Sequence, residues 1–210
     1  MKLLSRLSIL ALAVVMMAGC VESLDKTHYR LECKIDRQLG VDSVSLMLLN
    51  QAYNAVYHVA TVAADSASGA FVFDGQIEQP CVAYLKFSND STPLLFVLEQ
   101  GDTQINIGVN SLVITGGDLN HEYMTYLKER KQLQGKRLML HNEYVAALAP
   151  DSTIAVDLER QYLARDSMLI DSLEHITVVA INRQNLASAI ILDRFINTLS
   201  HKNLQKIQKK

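Results

Sequence analysis

Across residues 29–36 apolar and polar side chains alternate without a break. Tyr29, Leu31, Cys33 and Ile35 fall on one side, and Arg30, Glu32, Lys34 and Asp36 on the other. A period of two over that length describes a strand with one buried and one wet face. After a turn at Gly40, Val44, Leu46 and Leu48 repeat the pattern, and 56–62 predicts a third strand beyond a polar turn at 50–54. Phe71 and Phe73 then share a face between Gly69 and Asp74-Gly75, where the Asp-Gly pair predicts a tight turn with positive φ. Pro80 opens the next strand, whose inward residues are Cys81, Ala83, Leu85 and Phe87. The run 94–98 is apolar throughout, the pattern of a central strand covered on both faces. Glu99-Gln100-Gly101-Asp102 turns the chain into the alternating Ile105, Ile107 and Val109, and 112–115 closes the set. Seven or eight short strands at this spacing predict an antiparallel sandwich or open barrel, and the β-sandwich is the architecture expected over residues 29–116.

Beyond Gly116-Gly117 the period changes. Asp118 or Asn120 would cap a helix that places Tyr123, Tyr126, Leu127, Leu138, Tyr144, Val145 and Leu148 near a helical spacing, with Gly135 a weak point. Pro150-Asp151-Ser152 predicts a turn and a new cap. A second helix follows, with Ile154, Leu158, Tyr162, Leu169, Leu173 and Ile176 on one stripe. The pattern loosens at 182–185, and Leu186, Ile190, Ile191, Phe195 and Leu199 predict a third, shorter helix. The fold class is therefore α+β, a sandwich followed by a helical region over 117–200. The tail 201–210, with Lys202, Lys206, Lys209 and Lys210, reads as a frayed, solvated helix end.

Part of the hydrophobic content, 49% of 210 residues, belongs to the leader. Residues 1–19 hold two early cations, Lys2 and Arg6, then an apolar run too short to span a bilayer comfortably, then Ala18-Gly19-Cys20. Met17-Ala18-Gly19-Cys20 resembles the lipobox of bacterial lipoproteins, with Met in place of the usual Leu. The resemblance implies cleavage before Cys20 and acylation of its thiol and amine, giving a stable membrane anchor. Residues 20–28 form a short polar tether. The expected location is the Gram-negative cell envelope, with the periplasmic face of the outer membrane favoured over the cell surface.

Candidate chemistry is sparse. A formal net charge of −2 argues against a nucleic-acid partner. His121-Glu122 lacks the second histidine of a zinc-protease helix, and the six histidines are scattered, so no metal site is expected. Neither a nucleophile elbow nor a phosphate-binding glycine loop is present, and no cofactor is expected. Asp102, Asp118 and Glu122 read as a solvated acidic rim at the sheet–helix junction. Asp-Ser pairs at 42–43, 65–66, 90–91, 151–152, 166–167 and 171–172 resemble an O-glycan acceptor motif of some Gram-negative envelope proteins. Turn and cap chemistry uses the same residues and is the favoured reading.

The turn and core residues carry a second resemblance. Asp65-Ser66-Ala67, then Gly69-x-Phe71-x-Phe73-x-Gly75, then Pro80, resemble a lipoprotein-borne domain of unknown function. That domain precedes a thioredoxin-like domain in many envelope thiol–disulfide oxidoreductases of the thioredoxin/AhpC type. Phe96-Val97-Leu98-Glu99-x-Gly101 and Gly116-x-x-x-Asn120 resemble its later motifs. The resemblance implies a fold and a compartment. A redox domain would bring Cys-x-x-Cys, whereas this chain has three cysteines, Cys20, Cys33 and Cys81, and ends at Lys210 where that domain would begin. The oxidoreductase activity is therefore not expected to transfer.

Cys33 and Cys81 fall on apolar strand faces in an oxidising compartment. Buried core thiols, a disulfide between strands and a redox-active pair all stay open. The expected function is that of a non-catalytic envelope lipoprotein, not an enzyme, whose sandwich binds an unknown envelope protein or scaffolds it, with a possible accessory role to thiol-redox lipoproteins. The alternatives are a subunit of a thiol–disulfide oxidoreductase and a lipoprotein that binds a glycan or small ligand.

Overall fold

The computed structural model describes residues 27–49, 55–65, 68–148 and 155–208. The leader, Cys20 and the expected turns at 50–54 and 150–152 lie outside the described residues. Eight strands come first: β1 (His28–Ile35), β2 (Ser43–Leu49), β3 (Val56–Ala63), β4 (Ala70–Gln76), β5 (Cys81–Phe87), β6 (Leu94–Leu98), β7 (Gly101–Gly108) and β8 (Ser111–Thr115). Four helices follow: α1 (Asp118–Leu148), α2 (Ala155–Ile181), α3 (Leu186–Phe195) and α4 (His201–Gln208). The α+β class and the two-sheet sandwich stand as expected.

The first sheet runs β4-β1-β7-β8 and the second β3-β2-β5-β6. Every pairing is antiparallel except β1 with β7, which lie parallel with Leu31 beside Thr103 and Cys33 beside Ile105. The alternating faces meet between the sheets. Leu31, Phe71, Phe73 and Ile105 from one side and Val44, Leu46, Leu85 and Phe96 from the other belong to a single buried cluster. Burial of side chains this size stabilises by about 1.5–3 kcal/mol each, which explains why the period-two residues decide the register.

Two expectations are corrected. β6 is an edge strand and not a central one. Its apolar run is covered by α1 and α3, which pack over it, so helices supply the second burial that neighbouring strands would supply in a parallel sheet. Asp74-Gly75 is not a turn. Both residues continue β4, Gly75 pairs with Tyr29 across the ladder, and its φ is not positive. The glycine is needed because a Cβ there would stand 2.9–3.0 Å from the Tyr29 ring and hydroxyl.

Helix α1 runs through Gly135 without a break, since that glycine faces open space and costs only propensity. Its 31 residues span about 46 Å at 1.5 Å per residue. It pairs with α2 as a helical hairpin, tied by the two-point Arg137–Asp166 pair at 2.6 and 2.8 Å and by Tyr144 stacked on Tyr162 at 4.5 Å. Near the sandwich the hairpin buries Tyr123, Tyr126, Leu173, Val178 and Ile181. Toward its far end it exposes Leu138, Met139, Leu163 and Met168.

The tail is also corrected. It is a separate helix whose start is held to α2 by Glu174. That carboxylate accepts from the Ser200 amide at 3.1 Å and hydroxyl at 2.5 Å, and from the Asn203 side chain. Leu204 and Ile207 pack on the core, so one face of α4 is docked.

Candidate functional site

The residues that mark the later motifs converge where the sandwich meets α1. Gly116 and Gly117 adopt φ of 97° and 78°, a region that costs side-chain-bearing residues dearly. A Cβ at Gly116 would collide with the Asp102 carbonyl, and one at Gly117 with the Glu99 carboxylate. Glu99, at the end of β6, accepts from the backbone amides of Leu119 at 3.4 Å and Asn120 at 3.2 Å. A carboxylate at these unpaired first-turn amides caps the helix and complements its dipole. Neither Asp118 nor Asn120 serves as the expected N-cap, because Glu99 fills that role from across the joint.

Asn120 is fully buried and works on the strand instead. Its amide accepts from Val97 N–H at 3.1 Å and donates to Val97 C=O at 2.7 Å and to Gly116 C=O at 3.2 Å. It therefore pairs with the open edge of β6 as another strand would. Tyr123, one turn further along α1, is buried and accepts from Arg194 Nη1 of α3 at 2.6 Å. Burial pushes the Tyr123 phenol up, an effect only partly opposed by the guanidinium.

The other marked residues are spread over the sandwich. Asp65 shapes the β3–β4 turn: its carboxylate accepts from the Ser68 amide at 2.7 Å, its carbonyl from Gly69 N–H at 2.8 Å, and Gly69 takes φ 68°. Ser66 and Ala67 lie outside the described residues. Phe71 and Phe73 are core residues, and Gly101 opens β7 with φ 90°. Pro80 ends the bend before β5 and lines a groove with Leu119, Leu186 and Ile207. Asp166 and Asp171, expected in turns or caps with their serines, lie inside α2. There Asp166 pairs with Arg137, and Ser172 donates to the Met168 carbonyl at 2.8 Å.

Both thiols are free. Cys33 sits in the middle of β1, fully buried between Phe71 and Ile105, and burial pushes it up to about 12. Cys81 begins β5 in the other sheet, and its half-buried thiol is also raised by burial. Cys81 also adds a small raising effect on the Tyr29 phenol, after burial and Asp74. Among the described residues no group of three His, Cys, Asp or Glu side chains could hold a metal ion. Of the acidic residues expected at the sheet–helix junction, Asp102, Asp118 and Glu122, the last is engaged by Arg183 and Asn185, each at 3.0 Å.

A cavity lies at the end of the sandwich where β1, β5 and β7 finish. Its space of about 370 Å³ is lined by Ile35, Leu39, Val41, Phe87, Ile107 and Leu112, with the polar Asn89, Ser91 and Thr92 and the cation Arg194 also in the lining. Sequence reasoning missed Arg194, Glu174 and the capping role of Glu99. The available signals were Arg194, the one cation in the largely apolar segment 186–195, and a helix beginning after two glycines that offer no capping side chain.

No curated protein matches the chain. The expectation drawn from the turn and core residues holds as to the domain they mark: residues 29–123 match the family model described as Domain of unknown function (DUF4369), a span that takes in the sandwich and ends just past the joint, in the second turn of α1.

Proposed function

We propose that the protein is a non-catalytic lipoprotein of a Gram-negative cell envelope, anchored through Cys20 on the periplasmic face of the outer membrane. In this reading the sandwich is a rigid platform, and the α1–α2 hairpin offers a surface to an envelope protein. The observation that carries it is the distal half of the hairpin, where Met139 and Met168 are 64% and 70% exposed and flank one shallow slot. Flexible methionines on an exposed face suit adaptable protein contacts. The joint supports the same reading, because Glu99, Gly116, Gly117 and Asn120 are all occupied in holding the helices to the sheet.

A photo-crosslinking residue at Met139 in the full chain, expressed in its own envelope, tests the surface. A discrete protein adduct that disappears in a Met168→Glu variant is expected; an adduct indifferent to that change, or none, overturns the reading. Labelling with a palmitate analogue tests the anchor, and label that persists in Cys20→Ala would defeat it.

The alternative of a thiol–disulfide oxidoreductase subunit is disfavoured by the placement of Cys33 and Cys81 in different sheets, with burial suppressing both thiolates. Insulin reduction dependent on either cysteine would restore it. A ligand-binding role for the sandwich is compatible with the platform.

A further inference from the structure

We infer that the end of the sandwich remote from the tether is a binding slot for a small amphipathic anion, an alkyl or aryl carboxylate. Its apolar part would lie between the sheets and its carboxylate would meet Arg194. The inference rests on the reading of the sandwich as a binding module and adds a site and a ligand class to it.

Three independent features point to this occupant. First, the space is of ligand size: about 370 Å³ falls within the range of small-molecule pockets, which favour the mouths of β structures. Second, the lining is mostly apolar, with Asn89, Ser91 and Thr92 as its uncharged polar members. Ile35, Leu39, Val41, Ile107 and Leu112 are each partly buried, so apolar surface next to the inter-sheet core faces the opening. Third, Arg194 is the one charged side chain in the lining. It has no carboxylate partner among the described residues, and its Nη1 donates to the neutral Tyr123 hydroxyl. A guanidinium with one donor fixed and the others open can take a carboxylate in a two-point pair. Four acids adjoin the lining in sequence, Asp36, Asp42, Asp90 and Asp193, and none of them forms an ion pair with Arg194; Asp36 accepts instead from Gln38 N–H at 3.0 Å. The slot lies at the Ile35 end of β1, about 23 Å along the strand from its start at His28.

The test is titration calorimetry on the full chain in lipid nanodiscs, with heats from empty nanodiscs subtracted. The probes are phenylbutyrate, phenylbutanol and phenylbutylamine. The expected result is saturable one-to-one binding of phenylbutyrate, weaker binding of the alcohol and none of the amine. Arg194→Gln, which can still donate to Tyr123, should weaken phenylbutyrate about tenfold and leave the alcohol unchanged. Arg194→Lys should recover part of the loss. Absence of saturable binding, an equal response in Arg194→Gln, or preference for the amine would each overturn the site. Those outcomes leave the module reading in place, whereas cysteine-dependent insulin reduction would remove that reading whatever the probes do.

Discussion

The side-chain amide of Asn120 pairs with both backbone groups of Val97, accepting from its N–H and donating to its C=O across the outer edge of β6. The contact fastens the first turn of α1 to the sandwich and closes a strand edge in the same place. Removing it leaves two buried backbone groups unpaired. Asn120→Ala should therefore cost about 2–4 kcal/mol in denaturant unfolding. Asn120→Asp should cost a similar amount, because a carboxylate can accept from Val97 N–H but cannot donate to the two carbonyls. A loss below about 0.5 kcal/mol for both would show that water replaces the amide and that the edge is not closed by it.

Gly75 and Tyr29 are a second interlocked pair. Gly75→Ala forces a methyl against the Tyr29 ring at 2.9–3.0 Å and should destabilise by roughly 1–3 kcal/mol. The same substitution made in a Tyr29→Leu background should cost much less, since the smaller side chain vacates the space. Additive losses in the double-mutant cycle would mean that backbone freedom, and not the ring, sets the requirement.

The two pairs also mark how far the fold can be read along the chain. Alternation at Tyr29, Leu31 and Cys33 places β1 and its inner face, because a period of two has one structural meaning. An apolar run such as 94–98 carries less information. It says that both faces are covered, and whether strands or helices cover them depends on strand order, which no local pattern contains. Asp74-Gly75 has the composition of a turn, and a tyrosine 46 residues away in sequence, across the ladder, decides otherwise. The motif residues Glu99, Gly116 and Asn120 can be noticed singly, yet their roles exist only where β6 and α1 meet. The slot residues are still less visible, since they come from strand ends and loops that share no period.

Glu174 makes the docking of α4 sensitive to acid. Burial would raise its carboxyl, but hydrogen bonds from the Ser200 hydroxyl, Asn203 and the Ser200 amide, with the nearby Lys206 charge, outweigh burial and hold it below the ordinary 4.5. A depressed folded-state value means that the contribution is present above 4.5 and is lost as pH falls through the lower folded value. Protection of the α4 amides, corrected for the intrinsic exchange rate at each pH, should be high at about pH 6 and fall as the solution is acidified below 4.5, ahead of protection in the β1 and β7 core. In Glu174→Gln that extra acid sensitivity should vanish. Equal protection of α4 across the range would remove Glu174 as the clasp.

The thiols give the sharpest distinction between a structural and a redox sandwich. With Cys33 pushed up to about 12 by burial, roughly one molecule in ten thousand holds its thiolate at pH 8. Iodoacetamide at that pH should leave Cys33 unmodified in the folded chain. After unfolding without reductant, both Cys33 and Cys81 should be alkylated, in keeping with their free state. The raised value has a stability consequence of definite sign. Because the unfolded thiol ionises near 9 and the folded one only near 12, the protonated core is fully stabilising below 9. That contribution drains away as pH rises between those values. Cys33→Ala should therefore flatten the alkaline limb of the stability profile. Rapid labelling of native Cys33 would break this account through exposure, and a count of alkylated thiols that rises only with reductant would break it through a bridge.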